Sequence, residues 1–426
     1  MRNIVCLWSL PVLVALAVAL AAGTVAVARP GGGARAHTAQ ACAGDRVPHD
    51  PRNPLDLASA PGRNPLNGAR FFVDGPRHGS AAGAIASLAG FHVQNLPDAL
   101  SASSLLGRLG IGPLHVGPLG ALVGGSGVAR EVLRVSRPVQ ELEKIATEPE
   151  AQRFSAFSSG GGPGAIRGQV NKIFCGNLSA DPRSVPIIST YFAHPGVNGC
   201  SRGNIAAAMP VFRRRIDEMA STTGNHPAVY LLELDALGSS ACYARAGAMS
   251  AWEAMLRYEV DKMAALPHTV VYLEAGYSDS NGAAYTARAL NKIGIGRIRG
   301  FFTNDTHINW TINEVRWAEK ISRMTRGAHY IVNTAQNGNG PLINRNRVRY
   351  GNEDLCNPPR RGLGPLPTTN TGFPHADAFL WTHVPGNSSG SCNGGPPSGS
   401  FWTAKAIDLA SLANDRIGPH YPSRPY

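Results

Sequence analysis

The sequence predicts an α/β protein built on a parallel sheet, and three observations carry that expectation. From Val185 onward, short apolar runs alternate with stretches of helical periodicity, which is the rhythm of βαβ units. The run Val229–Glu233 is mostly apolar and ends on an acidic pair, Glu233 and Asp235, as a barrel strand does when its C-terminal end faces a site. No G-x-G-x-x-G follows the first strand, so a dinucleotide fold is not supported. Six or seven strands with function at their ends leave two architectures, a barrel or a doubly wound sheet.

The chain has 426 residues, 43% hydrophobic and 16% charged, enough for one large or two medium domains. With 49 glycines and 32 prolines, loops are abundant. The net charge of +12 does not point to nucleic acid, because no basic run exceeds Arg213–Arg215 and that triplet lies in an amphipathic helical stretch.

Residues 1–28 combine an early Arg2, a long apolar run and the small-x-small site Ala26-Val27-Ala28. This reads as a secretory signal peptide, with an uncleaved anchor as the alternative. The mature chain is expected to be extracellular, without a further membrane segment. Residues 29–63 read as a disordered lead-in rich in Gly, Ala, Arg and His. ARFFVD (69–74) reads as a short strand. Residues 79–130 resemble a Gly/Ala/Leu-rich insertion whose leucines are too often broken by Gly for a clear helix. Glu131–Ala146 is helical in pattern, with Pro138 as an interruption.

The alternation then follows in order. Strands are expected at Val185–Tyr191, Val229–Glu233, Thr269–Leu273, Arg297–Thr303, His329–Asn333 and Ala376–Thr382. Helices are expected at Ala206–Met219, Ala248–Ala264, Ala283–Ile293, Ile312–Met324 and Phe401–Ala413. Beyond Cys6 in the leader, six cysteines remain: Cys42, Cys175, Cys200, Cys242, Cys356 and Cys392. An even count in an exported chain implies disulfides, and spacing alone leaves their pairing open.

Asp235 has two readings. A strand-end aspartate often caps the next helix. A carboxyl among apolar neighbours also has its ionised form disfavoured, and so can act as a general acid. No G-x-S-x-G elbow supports a serine hydrolase. His194, His307, His329 and His383 fall in or near strand-end loops, but no H-x-x-H pair suggests a metal.

Several motifs at strand ends occur in one order: NPLNGARFFVD (64–74), ELDAL (233–237), YLEAG (272–276), GFFTNDTH (300–307), VNTAQNGNGP (332–341), CNPPRRGLGPLPTTNTG (356–372) and DAFLWTHVPGNSSGSCNGGPPSGSFW (377–402). The series resembles glycoside hydrolase family 6, the inverting β-1,4-glucanases and cellobiohydrolases. The resemblance runs from Asn64 to the C-terminus, apart from the insertion. It implies a distorted, roughly seven-stranded, TIM-like parallel α/β barrel over residues 64–426. It also implies a polysaccharide substrate, no metal or cofactor, and a monomer.

Carried over position by position, the resemblance makes Asp235 the general acid. Tyr191, Trp310, Trp381, His383 and Asn387 become substrate contacts. It pairs Cys200 with Cys242 and Cys356 with Cys392, which leaves Cys42 and Cys175 as a third pair.

The departures from the family pattern are chemical. Leu234 replaces the proline of E-P-D. Gly199 stands where an aspartate helps keep the acid protonated. Glu274 replaces an aspartate, Asn333 and Gln336 replace charged residues, His383 replaces a lysine and Leu355 a tryptophan. Asn387 and Ser389 replace two acids, and Ser389 occupies the proposed base position. Inverting hydrolysis needs a base for water, and a serine hydroxyl is too weak at neutral pH. Three readings follow. Another carboxylate, Glu274 or Asp279, is the base; or water relays the proton; or the chain binds glycan without turning it over. For Glu274 a structural ion pair at the barrel floor competes with the base role.

Overall fold

The computed structural model describes residues 55, 57, 63–75, 79–88, 136–342 and 355–419. Its elements in chain order are α1 (Ala81–Leu88), α2 (Arg137–Ala146), β1 (Gln152–Ser155), α3 (Ala165–Ala180), β2 (Ile187–Tyr191), α4 (Pro195–Asn198), α5 (Arg202–Thr223) and β3 (Ala228–Leu232). They continue with α6 (Ser240–Arg245), α7 (Met249–Ala264), β4 (Thr269–Glu274), α8 (Ala283–Ile293), β5 (Gly300–Thr303), α9 (Thr311–Met324), β6 (His329–Asn333), β7 (Ala376–Leu380) and α10 (Thr403–Ser411).

The seven strands form one sheet in sequence order, and every pairing is parallel. The sheet curls until its ends meet. Ala151 N–H, just before β1, donates to Trp381 O, just after β7, at 2.9 Å. That single parallel bridge, Glu150 to Trp381, is the seam of a distorted seven-stranded α/β barrel.

Strand composition follows from burial on both faces. Along β3, Val229 and Leu231 join the barrel interior with Ile187, Val270, Tyr272, Phe302, Ile331 and Leu380. The alternate residues Tyr230 and Leu232 pack outward against the helical layer, with Phe212, Ile216, Trp252 and Leu256. A third cluster joins α1, α2 and α10 through Ile85, Leu142, Ile145 and Leu409. The barrel floor is tied by Asp377, whose carboxylate accepts from Arg299 Nε at 2.7 Å, Tyr272 OH at 2.7 Å and the His329 ring at 2.9 Å.

The structure changes several expected elements. ARFFVD is not a strand of the sheet; Phe71 makes one isolated bridge to Val185, and β2 begins at Ile187. Pro138 does not interrupt a helix. It lies in the first turn of α2, where a missing N–H breaks no intrahelical bond. Residues 81–88, in the expected Gly/Ala/Leu-rich insertion where Gly interruptions left no clear helix, form α1, with Gly83 buried in a small-residue interface. β1 and α3 were not anticipated, because QRFS lacks an apolar run and α3 carries Gly168 and Gly176. The expected signal peptide and most of the expected lead-in and insertion lie outside the described residues. No helix among the described residues is long and apolar enough to cross a membrane.

Candidate active site

The site is built on the exit of β3. Glu233 and Asp235 both take left-handed backbone conformations, at φ 55° and 60°. Non-glycine residues adopt these only when their surroundings impose them. Here the neighbouring strands do so. Glu233 Oε2 accepts from Phe192 N–H at 2.7 Å and Ala193 N–H at 2.6 Å. Leu234 N–H donates to Thr190 O at 3.0 Å, a bond that a proline at 234 could not make. On the other side Leu237 N–H donates to Glu274 Oε2 at 3.0 Å.

This suture leaves the Asp235 side chain 23% exposed at the cleft. Thr306 Oγ1 donates to its Oδ1 at 2.7 Å, and the Tyr277 hydroxyl donates to the same oxygen. His194 Nε2 lies 3.9 Å from Oδ2. Burial raises the Asp235 pKa; Thr306 and the charges of His194 and His307 oppose that rise without cancelling it. A carboxyl whose pKa is raised, yet which stays open to a ligand, suits a general acid.

Tyr277 is itself fixed. Its ring stacks on His307 at 3.6 Å between centroids, and His307 Nδ1 lies 2.8 Å from Asp279 Oδ1. Gly238 is needed beside it, since a Cβ there would sit 2.7 Å from the tyrosine ring. Tyr191, half-buried at the end of β2, lies 4.9 Å from the His194 ring. Burial, then the Asp235 charge, keeps its hydroxyl protonated.

The opposite flank carries a second cluster. Arg153 Nη2 on β1 reaches Asp305 Oδ2 at 3.0 Å, and the Thr382 hydroxyl donates to Asp305 Oδ1. Burial alone would raise the Asp305 pKa, but Arg153, His383 and Thr382 outweigh it and hold the carboxyl below its ordinary value. His383 Nδ1 stands 3.9 Å from Asp305 Oδ1, with the side chain 12% exposed. Burial lowers the His383 pKa, Asp305 opposes, and Arg153 and Lys405 reinforce, so the ring is neutral at pH 7.

Other expected site residues are placed as follows. Trp310 is half-buried at the start of α9, and Gly340 lies so close to its indole that a Cβ would be 2.2 Å away. Trp381 is fully buried at the barrel seam, so it packs in the core and does not form a sugar platform; a strand-end indole can face either way. Glu274 is fully buried and its carboxyl accepts from Leu237 and Gly276 N–H groups, the latter at 2.6 Å. It is therefore neither an accessible base nor part of a floor ion pair, and burial followed by the Asp235 charge pushes its pKa well up. Asp279 is occupied by His307 and by Asn309 Nδ2 at 2.7 Å. Ser389 is exposed, and its N–H donates to Asn357 Oδ1 at 2.8 Å. Asn387 is half-buried, and its main-chain oxygen accepts from Lys405 Nζ at 2.9 Å.

The disulfide Cys200–Cys242 ties the loop after β2 to the helix beyond Asp235, and Cys356–Cys392 ties the segment of Asn357 to the loop of Ser389. For the pair Cys42–Cys175, Cys42 lies outside the described residues. Among the described residues no cluster of three or more His, Cys, Asp or Glu side chains is placed to hold a metal ion.

Sequence reasoning missed Arg153, Tyr277, Asp305 and Thr306 as members of the site. GFFTNDTH was visible as a motif, but only the folded loop after β5 brings Thr306 to Asp235 and Asp305 to Arg153. Arg153 lay in an unrecognised strand.

The sequence profile described as "Glycosyl hydrolases family 6" matches residues 198–413. The chain is also 31% identical over 273 residues to Endoglucanase 1 of Streptomyces sp. (strain KSM-9), covering 63% of this chain and 70% of that protein. The chain belongs to glycoside hydrolase family 6. A second relative, Endoglucanase A of Cellulomonas fimi, is 28% identical over 272 residues, and the match spans 56% of its length. Among solved structures, the endoglucanase Cel6 from Mycobacterium tuberculosis, in complex with methyl-cellobiosyl-4-deoxy-4-thio-β-D-cellobioside, superposes with a TM-score of 0.57 at 31% identity. That alignment covers 72% of this chain and 99% of the other. Endoglucanase CEL6B from Humicola insolens, 17% identical with a TM-score of 0.58, shares the fold.

Proposed function

We propose that this family 6 protein is an exported glycosidase that hydrolyses β-1,4-glucan or a related β-glycan with inversion. The observation that carries the reading is Asp235. Its carboxyl has a raised pKa, lies at the exit of a barrel strand, and remains open to a ligand between Tyr191, His194 and Thr306. A glycan seated across the strand ends would present its scissile oxygen to that carboxyl. Asp235 would protonate the departing oxygen while water attacks the anomeric carbon from the opposite face. Tyr191 and Trp310 would line the sugar subsites, with His383 and Asn387 on the far side. The names of the relatives, endoglucanases, agree with this substrate class.

The exposed Ser389 hydroxyl, at the position of the family's proposed base, motivates a second reading: a protein that holds glycan without cleaving it. Release of reducing ends from a panel of β-glucans separates the two. Hydrolysis predicts product from the native protein and far less from Asp235→Asn. Retention on glycan without product, equal in both proteins, would replace the enzyme by a binding protein.

A further inference from the structure

A hydrolase of this type needs a group that accepts the proton of the attacking water. Ser389 has no acidic side chain, Glu274 is sealed behind the Asp235 loop, and Asp279 is engaged by His307 and Asn309. His383 follows β7, four steps along the sheet from the strand that carries Asp235. The loop after β5 touches both, through Thr306 to Asp235 and through Asp305 toward His383.

We propose that His383, oriented by Asp305, is the base that activates the hydrolytic water, replacing the carboxylate that position 389 lacks. The inference rests on the protein being a glycan hydrolase. Its chemistry follows from the tautomer. Asn333 Nδ2 lies 3.4 Å from His383 Nδ1, but its amide protons point to Asn304 O at 2.9 Å and Asp305 O at 3.3 Å. With those two bonds made, Asn333 has no proton left for Nδ1, so we place the ring proton on Nδ1, 3.9 Å from the Asp305 carboxylate, and the lone pair on Nε2. Asp305 is suited to this role because Arg153 and Thr382 hold it ionised and in place. The charged groups facing the ring are Asp305, Arg153 and Lys405, and with burial they leave it neutral at pH 7.

The step balances. Water oxygen forms the bond to the anomeric carbon, and Nε2 takes the water proton. The carbon–oxygen bond to the departing sugar breaks with its electron pair on oxygen, which takes the Asp235 proton. The imidazolium then releases its proton to solvent, and Asp235 is reprotonated.

The test is kinetics of the full chain on a soluble β-glucan and on a cellooligosaccharyl fluoride, whose leaving group needs no protonation. His383→Ala is expected to lose about 10²–10⁴-fold in kcat on both substrates, the range for removal of a positioned base. KM should move by less than about threefold, and added imidazole or formate should restore part of the rate. Asp235→Asn should keep turnover of the fluoride. Asp305→Asn, which removes the anion that favours the protonated ring, should move the acid limb of kcat/KM to lower pH. His383→Ala or His383→Gln with kcat within about threefold of native overturns the proposal, as does a loss carried by KM without rescue. If both His383 variants fail to fold, an unmoved acid limb in Asp305→Asn overturns it. Native protein that cleaves neither substrate overturns this inference and the proposed function together; active native protein with an active His383 variant overturns this inference alone.

Discussion

Thr306 and Asp305 are consecutive in the chain and serve opposite flanks of the cleft: Thr306 Oγ1 donates to Asp235 at 2.7 Å, and the Asp305 carboxylate accepts from Arg153 at 3.0 Å. The chain bends at these two residues, just past the left-handed Asn304 at φ 70°, and the bend sends the two side chains to different partners. One short loop after β5 thus couples the acid of the site to its charged far wall.

Removing the acid should separate leaving groups. Asp235→Asn keeps the shape of the side chain but has no proton of suitable acidity to give. Turnover of β-glucan should fall by about 10²–10⁴-fold. Turnover of a glycosyl fluoride should fall far less. Equal losses on both substrates would remove Asp235 from the acid role.

Tyr277→Phe should shift the alkaline limb. The Tyr277 hydroxyl donates to Asp235, and a donor to a carboxylate favours the ionised form. Deleting it raises the Asp235 pKa further, so the acid stays protonated to higher pH. The alkaline limb of kcat/KM should move up by about half a unit to one unit, about what one hydrogen bond contributes. A downward movement would contradict this assignment.

Glu233 and Glu259 should make stability fall as pH rises through weakly acidic values. Glu233 Oε1 and Glu259 Oε2 are buried without hydrogen-bond partners, and the Glu233 charge adds to the burial that pushes Glu259 up. Burial pushes Glu233 up to about 7 and Glu259 well above its ordinary value. Between the unfolded carboxylate value and pH 7 the folded state binds more protons than the unfolded one. Stability is therefore full below that window and declines through it, by up to about 1.4 kcal/mol per pH unit per proton. Glu259→Gln should flatten this slope in thermal melts taken from pH 4 to 7. An unchanged slope would show that the pair does not govern it.

Asn387→Asp should stabilise the fold near neutral pH. Lys405 is nearly buried, with Asn357 Oδ1 at 3.1 Å and Asn387 O at 2.9 Å as its acceptors, and burial lowers its pKa to about 8. Because the folded pKa is depressed, the native protein gains stability as pH rises from about 8 toward the unfolded lysine value. An aspartate at 387 would put a carboxylate on the residue whose main-chain oxygen already holds the ammonium, in place of an amide oxygen that has no hydrogen-bond partner. A rise of about 1 kcal/mol in thermal stability at pH 7, with loss of the alkaline gain, is expected. A lower melting temperature would show that desolvating the new carboxylate outweighs the pairing.

What the sequence determined by itself was periodicity and order. Buried strands such as Val270–Leu273 and Tyr330–Val332 announce themselves by unbroken apolar runs, because a parallel strand covered on both faces has no polar side. The succession of such runs with helices, and the motifs at their ends, were enough to place Asp235 at the mouth of a barrel. Only the tertiary structure decided which way each side chain faces and which charges meet. Trp381 and Glu274 belong to matched motifs yet are sealed inside. Arg153 and Asp305 are 152 positions apart and meet on one wall of the site. Local spacing governs helix and strand formation. The ionisation state of a carboxyl depends on burial and on neighbours brought near by the closing of the barrel, and those distances are not written along the chain.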